Sequence, residues 1–282
     1  MKHTAFNWYG PDGQLVFAQK WQPDNNFKLR GVICLIHGLG EHSSRYKHFA
    51  KFFTQHDFAV MACDLRGHGQ SEGKRGHVKS FHILLNQVDK LLEEASKKFP
   101  GTPRFVYGHS MGGNIVINHA LTHNPRIKGV IVSAPWLRTV VEVPKSKLLL
   151  AKVASFVWGA YTESNGLDLA QLSRDTQVAK DYEEDPLVHD KISANLFFQG
   201  TQYANESMEK ADELDIPMLL MHGTKDGITD YTASVEFAKK APKYVTFKEW
   251  PNFYHELHNE PEKNDVLEHV LAWIETRLAT LK

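Results

Sequence analysis

Short, continuously apolar runs separated by helix-length stretches constrain this chain more than any other feature. The runs lie at residues 31–38 (Gly-Val-Ile-Cys-Leu-Ile-His-Gly), 58–64 (Phe-Ala-Val-Met-Ala-Cys-Asp), 104–107 (Arg-Phe-Val-Tyr), 127–134 (Ile-Lys-Gly-Val-Ile-Val-Ser-Ala) and 217–223 (Pro-Met-Leu-Leu-Met-His-Gly). A strand with one wet face alternates apolar and polar residues, whereas a strand covered on both faces does not, so these runs fit a parallel sheet buried between layers. Helical spacing fills the intervals. Phe81, Leu84, Leu85, Val88, Leu91, Leu92, Ala95 and Phe99 recur three and four apart, with Ser80 as the expected N-cap and Pro100-Gly101 as the stop. Val266, Val270, Leu271, Ile274 and Leu278 mark a last helix. This alternation predicts an α/β fold with a mostly parallel central sheet, flanking helices and right-handed crossovers. The turn residues Gly10 to Gly13 predict an antiparallel hairpin before it.

The alternation breaks once. Residues 136–215 carry no strand signal and are long for a single crossover. They are expected to form a helical cap inserted into a core made of 1–135 and 216–282. The cap's most apolar stretch, residues 148–161, suits a tunnel wall, a membrane contact or a subunit surface.

Bulk properties remove several function classes. Lys plus Arg and Asp plus Glu are equal at 33 each, so nothing points to nucleic acid as a partner. No apolar run approaches the ~18 residues that span a bilayer, and the N-terminus lacks the apolar core of a secretory leader. A cytoplasmic protein is expected, with peripheral membrane contact through the cap. Cys34 and Cys63 sit inside apolar runs and read as buried thiols rather than a disulfide framework. Neither His-Glu-x-x-His nor paired-cysteine spacing occurs, so no metal site and no cofactor are expected.

Gly108-His109-Ser110-Met111-Gly112 is a Gly-x-Ser-x-Gly pattern between a predicted strand and a predicted helix. A nucleophilic serine there must sit on a very tight turn, and glycines two positions either side relieve the crowding. Serine needs a base, and the base needs an orienting acid. Asp226 follows the strand at 217–223, and His255 follows the strand-like run Tyr-Val-Thr-Phe-Lys-Glu-Trp (244–250). Strand C-terminal ends of an open α/β sheet face one crevice, so Ser110, Asp226 and His255 should converge. Asp230, four residues on, suits a helix N-cap better, and His258 competes with His255 as base. His109 is expected to pack or hydrogen-bond beneath the turn. The backbone N–H groups of Leu39, in the loop His37-Gly38-Leu39-Gly40, and of Met111 are the expected oxyanion donors.

With these motifs quoted, the chain resembles the monoacylglycerol lipase group of α/β-hydrolases. The resemblance is carried by His-Gly-Leu-Gly-Glu-His-Ser-Ser-Arg-Tyr (37–46), Asp-Leu-Arg-Gly-His-Gly-Gln-Ser-Glu-Gly (64–73), Gly-His-Ser-Met-Gly-Gly (108–113), Leu-Ser-Arg-Asp (172–175), Asp-Pro-Leu-Val (185–188), His-Gly-Thr-Lys-Asp (222–226) and Tyr-His-Glu-Leu-His (254–258). It implies the Ser110–Asp226–His255 triad, a cap forming an apolar acyl tunnel, association with membrane surfaces and a small lipid ester as substrate. It also implies that Glu41, Arg45 and His258 surround the glycerol end. Glu41 and Arg45 suit equally well an ion pair that orders the oxyanion loop, and Asp64 and Arg66 suit bracing of that loop. The activity implied is hydrolysis of fatty-acid esters, monoacylglycerol first. Lysophospholipase or broad carboxylesterase activity is the alternative, and a non-catalytic binding protein on the same scaffold is a third class.

Overall fold

A computed structural model describes residues 1–10, 12–24, 28–141, 152 and 158–279. Its centre is an eight-stranded sheet ordered β1-β2-β4-β3-β5-β6-β9-β10. The strands are β1 (Lys2–Tyr9), β2 (Leu15–Gln22), β3 (Gly31–Ile36), β4 (Phe58–Cys63), β5 (Arg104–His109), β6 (Gly129–Ser133), β9 (Met218–Gly223) and β10 (Val245–Trp250). The expected hairpin is β1–β2, and β2 pairs antiparallel with β4 as well. From β4 through β10 every pairing is parallel.

The apolar runs are continuous because alternate residues enter opposite cores. Val32, Cys34 and Ile36 of β3 join the cluster built with α2 (Phe81–Lys98) and α3 (Met111–His123), while Ile33 and Leu35 join the cluster built with α1 (Lys47–Gln55). Both faces of the strand are thus dry. Cys34 and Cys63 are free, buried thiols, and burial pushes Cys34 up to about 12.

Ser80 precedes α2 with extended backbone, but its side chain makes no capping bond. The first N–H of the helix, on Phe81, instead donates to Gln199 Oε1 at 2.7 Å. A side chain from a distant helix has taken over the cap.

Between β6 and β9 the described residues add no strand to the central sheet, but they are not purely helical. β7 (Thr162–Ser164) pairs antiparallel with β8 (Lys191–Ser193), alongside α4 (Thr176–Glu184) and α5 (Ala194–Glu209). Three-residue strands have too little alternation to register as a sequence signal, which is why no strand is expected there. Most of 148–161 lies outside the described residues. After β9 come α6 (Tyr231–Lys240) and, after β10, α7 (Lys263–Ala279). Among the described residues no helix is long and apolar enough to cross a membrane.

Backbone and side-chain bonds stitch the stretch around β8 to the loops beneath it. His189 N–H donates to the Gly40 carbonyl at 2.9 Å, and Ser193 N–H donates to the Gly76 carbonyl at 2.8 Å. His42 Nε2 donates to Asp185 at 2.8 Å, and His189 Nε2 donates to the Gly67 carbonyl at 3.1 Å.

Candidate active site

Ser110 stands between β5 and α3 with φ 54° and ψ −117°. A non-glycine residue in that region stores roughly 1–3 kcal/mol of strain and persists only where its surroundings hold it. Here the Ser110 N–H donates to the Ser133 carbonyl at 3.0 Å, and the Ser110 carbonyl accepts from Trp136 N–H at 3.0 Å. The flanking glycines are required by close approach. A Cβ on Gly112 would lie 2.2 Å from the Ile36 carbonyl oxygen, and one on Gly108 would lie 2.4 Å from the Gly112 oxygen. The helix α3 therefore leans directly on the end of β3.

Asp226 follows β9 and His255 follows β10, as the sequence order requires. His255 Nδ1 lies 2.8 Å from Asp226 Oδ2. A carboxylate only accepts, so the ring carries its proton on Nδ1 and presents Nε2 as a base. Asp226 is saturated with donors. Oδ2 also accepts from His222 Nε2 at 3.0 Å and from the Thr229 hydroxyl at 2.9 Å, and Oδ1 accepts from the Ile228 and Thr229 N–H groups at 2.8 and 3.0 Å. Burial alone would raise the Asp226 pKa, but the two histidines outweigh it and hold the carboxyl well below the usual carboxylate range. Burial likewise works against a charged His255, yet Asp226 dominates and raises the imidazole above its ordinary value. Asp230, the competing acid, accepts from Thr232 N–H at 2.8 Å at the start of α6.

Ser110 and His255 border the same cavity, of about 380 Å³. Leu39 is in its wall as well. Position 38 packs against the nucleophile, where an added Cβ would lie 3.2 Å from Ser110 Cβ. Met111, buried, is the first residue of α3, where helix N–H groups have no partner within the helix. Apolar side chains, among them Trp136, Val141, Leu172, Ile192 and Phe197, share the remaining wall with polar ones, including Thr139, Glu163, Asn165, Asp168 and Glu256.

The three residues expected at the glycerol end separate. Glu41 borders the cavity. Its Oε1 accepts from Gly38 N–H at 2.6 Å and from Tyr46 hydroxyl at 2.7 Å, and its Oε2 accepts from Arg45 Nη1 at 2.7 Å. Burial would raise its pKa, but Arg45, His109 and His37 together pull it to about 2. Arg45 does not border the cavity; it bridges Glu41 to Glu256, whose two oxygens accept from Nη1 and Nη2 at 2.8 and 2.9 Å. His258 is likewise behind the wall, stacked on Tyr46 with ring centroids 4.6 Å apart. Burial first, and then His109 and His48, keep it neutral. His109 does not sit out of sight beneath the turn. It borders the cavity, with its ring 4.7 Å from His255 and 4.9 Å from His258. Asp64 accepts from the Ser43 N–H and hydroxyl and from Gln70 N–H, and Arg66 donates to Asp12 and to neighbouring carbonyls, so both brace loops.

Sequence reasoning misses His222, Thr229 and Glu256. His222 was visible four residues before Asp226, and Glu256 immediately after His255. No catalytic motif marks either as a support: His222 holds Asp226 from within the same segment, and Glu256 finds its partner Arg45 211 residues away.

Known proteins carry the same plan. The Hydrolase_4 family, described as serine aminopeptidase, S33, matches residues 28–262. Monoglyceride lipase of Homo sapiens is 35% identical over 278 residues, covering 95% of this chain and 89% of that protein. An uncharacterised abhydrolase domain-containing protein of Dictyostelium discoideum is 34% identical over 287 residues; the match takes in 100% of this chain and spans only 30% of that longer protein. Among solved structures, the monoacylglycerol lipase of Paleococcus ferrophilus superposes with a TM-score of 0.83 at 33% identity, covering 98% of this chain and 100% of that one. With the family match running over residues 28–262 and a Gly-x-Ser-x-Gly turn between β5 and α3, the chain belongs to the Hydrolase_4 family and is a serine ester hydrolase of the α/β-hydrolase fold.

Proposed function

We propose that the protein hydrolyses monoacylglycerols to glycerol and fatty acid through an acyl-enzyme on Ser110. The observation that carries this is one cavity bordered by Ser110, His255 and Glu41 together with a set of apolar side chains, Trp136, Leu172, Ile192 and Phe197 among them. A fatty acyl chain suits the apolar wall, and a small diol suits a fixed carboxylate beside the loop at Gly38.

His255 Nε2 takes the Ser110 proton as Oγ attacks the ester carbonyl. The Leu39 and Met111 N–H groups receive the oxyanion, each contributing about 3 kcal/mol to the transition state. Asp226 holds His255 in its tautomer and stabilises the cation that forms. The imidazolium then protonates the departing glycerol. Water, deprotonated by His255, attacks the acyl-enzyme and releases the fatty acid, returning the proton to Ser110. Glu41 meets the glycerol hydroxyls, with Arg45 and His258 fixing it from behind. Residues 136–215 act as the cap over a core of 1–135 and 216–282. The exposed side chains of Val140, Val141, Trp158 and Tyr161, of which Val141 borders the cavity, suit peripheral contact with a lipid surface.

A second reading has its own support: Glu163 and Asp168 also border the cavity, and carboxylates there suit the cationic head of a lysophospholipid. Fatty-acid release from monooleoylglycerol and from oleoyl lysophosphatidylcholine, side by side with Ser110→Ala as blank, separates the two. Preference for the glyceride is expected. Preference for the phospholipid would reassign the head group and leave the triad in place, and release by Ser110→Ala at the wild-type rate would overturn both.

A further inference from the structure

Away from the cavity, α3 and α2 bring three metal-ligating side chains together. His119 and His123 are one turn apart on α3, and Asp89 faces them from α2. His119 Nε2 lies 2.7 Å from Asp89 Oδ1, and His123 Nδ1 lies 2.7 Å from Asp89 Oδ2. All three ligand atoms fall within 4.8 Å of one another. Holding a carboxylate takes one imidazole. Here two rings lie side by side, with centroids 4.8 Å apart and planes tilted by 33°, and a nitrogen of each meets the same carboxylate. His119 is almost fully buried while 48% of the Asp89 side chain is exposed, so the ligands are fixed from below and open to solvent above.

We propose that Asp89, His119 and His123 form a binding site for one divalent transition-metal ion, with Zn²⁺ as the fitting species. Two imidazoles and one carboxylate suit zinc, copper or nickel; calcium and magnesium ask for oxygen ligands throughout. Zinc–ligand bonds of about 2.0–2.2 Å in a tetrahedron set neighbouring ligand atoms roughly 3.3 Å apart. The existing 2.7 Å separations therefore need to widen only slightly. On binding, the nitrogen of each ring that faces Asp89 gives up its proton, and the ion replaces the two hydrogen bonds to Asp89. Water completes the shell on the exposed side. His119 lies nine residues beyond Ser110, roughly 13 Å along the helix axis, and none of the three residues borders the cavity. The ion would thus clamp α2 to the far end of the nucleophile helix rather than join the chemistry.

No metal motif shows in the sequence because the third ligand comes from a different helix. The test is titration of the purified, chelator-stripped protein with ZnCl₂, read by a competing zinc indicator and by thermal denaturation. Co²⁺ substitution supplies a visible spectrum. The wild type is expected to take up one Zn²⁺ per chain and to gain several degrees in Tm at saturating metal, from mass action on the folded state. His123→Ala and Asp89→Asn, both at solvent-accessible positions, should weaken binding well over tenfold, that is by more than about 1.4 kcal/mol, and abolish the Tm gain. Ester hydrolysis, followed alongside, should be unchanged by metal at this site. No stoichiometric uptake even with zinc in large excess, or equal uptake by wild type and both variants, overturns the assignment. So does uptake that stops hydrolysis, which would place the ion at the triad.

Discussion

Replacing Arg45 by methionine should destabilise the fold by about 3–5 kcal/mol, because among the described ion pairs the guanidinium bridges two buried carboxylates. Glu41 and Glu256 are each 2% exposed. Removing the cation leaves two carboxylates in a dry pocket, whereas removing all three charges leaves none uncompensated. The magnitude has a second source. Glu41 is held at about 2 against an ordinary 4.5, which corresponds to about 3 kcal/mol of stability in its ionised form. The sign follows from the lowered value: that stability is present above the ordinary carboxylate range and is lost as pH falls toward about 2. Urea denaturation followed by fluorescence reads the effect in Arg45→Met, in Glu41→Gln/Glu256→Gln and in the triple variant. The triple variant should recover a large part of the loss, since glutamine at 41 can still accept from Gly38 N–H. An Arg45→Met variant within about 1 kcal/mol of wild type, or no more stable when the glutamates are also neutralised, refutes the reasoning.

Three further outcomes follow from the site. Asp226→Asn should lower kcat by about 10⁴-fold; because Asp226 raises the His255 pKa, the acid limb of kcat/KM should also move to lower pH, and an unmoved limb would contradict the assigned pairing. Burial holds His68, His109 and His258 below the ordinary imidazole value, His109 at about 4. The unfolded chain therefore binds more protons below about pH 6.5, and stability should fall from there toward pH 4, with His109 alone contributing about 3 kcal/mol. His255 has the opposite sign, its contribution being lost as pH rises through its raised value. Denaturation midpoints that stay level across the acid window would count against these buried neutral rings. Gly112→Ala places a Cβ against the Ile36 and His37 carbonyls, so α3 must move and Ser110 with it. A loss of roughly 10²-fold or more in turnover is expected, with circular dichroism checking the fold, and near-normal turnover would rule out the close approach.

Features that depend on one segment were legible in the sequence. Continuous apolar runs announce strands covered on both faces, and Gly108 and Gly112 announce a serine on a tight turn. The chain order of Ser110, Asp226 and His255 places each at a strand end. Features that depend on two segments were not. Ser80 had the right identity for a cap, but Gln199 from α5 fills that role. Glu41 and Arg45 were visible together, but Glu256, which shares the guanidinium, lies 211 residues further on. His109 was expected beneath the turn, and only the packing of His255 and His258 around it shows the ring at the cavity wall. The strands β7 and β8 are set by hydrogen-bond register rather than by any pattern of their own.

The bonds from Gly40, His42, Gly67 and Gly76 to residues 185–193 constrain anyone who would exchange one specificity for another. With residues 136–215 acting as the cap proposed above, a transplanted cap would arrive without partners for those four positions, and the loop carrying Leu39 would lose its outer support. A working chimera must therefore bring its own versions of 37–46 and 64–77, although neither lies in the inserted segment. The unit that can be recombined is a discontinuous one, cut along hydrogen bonds instead of along the chain.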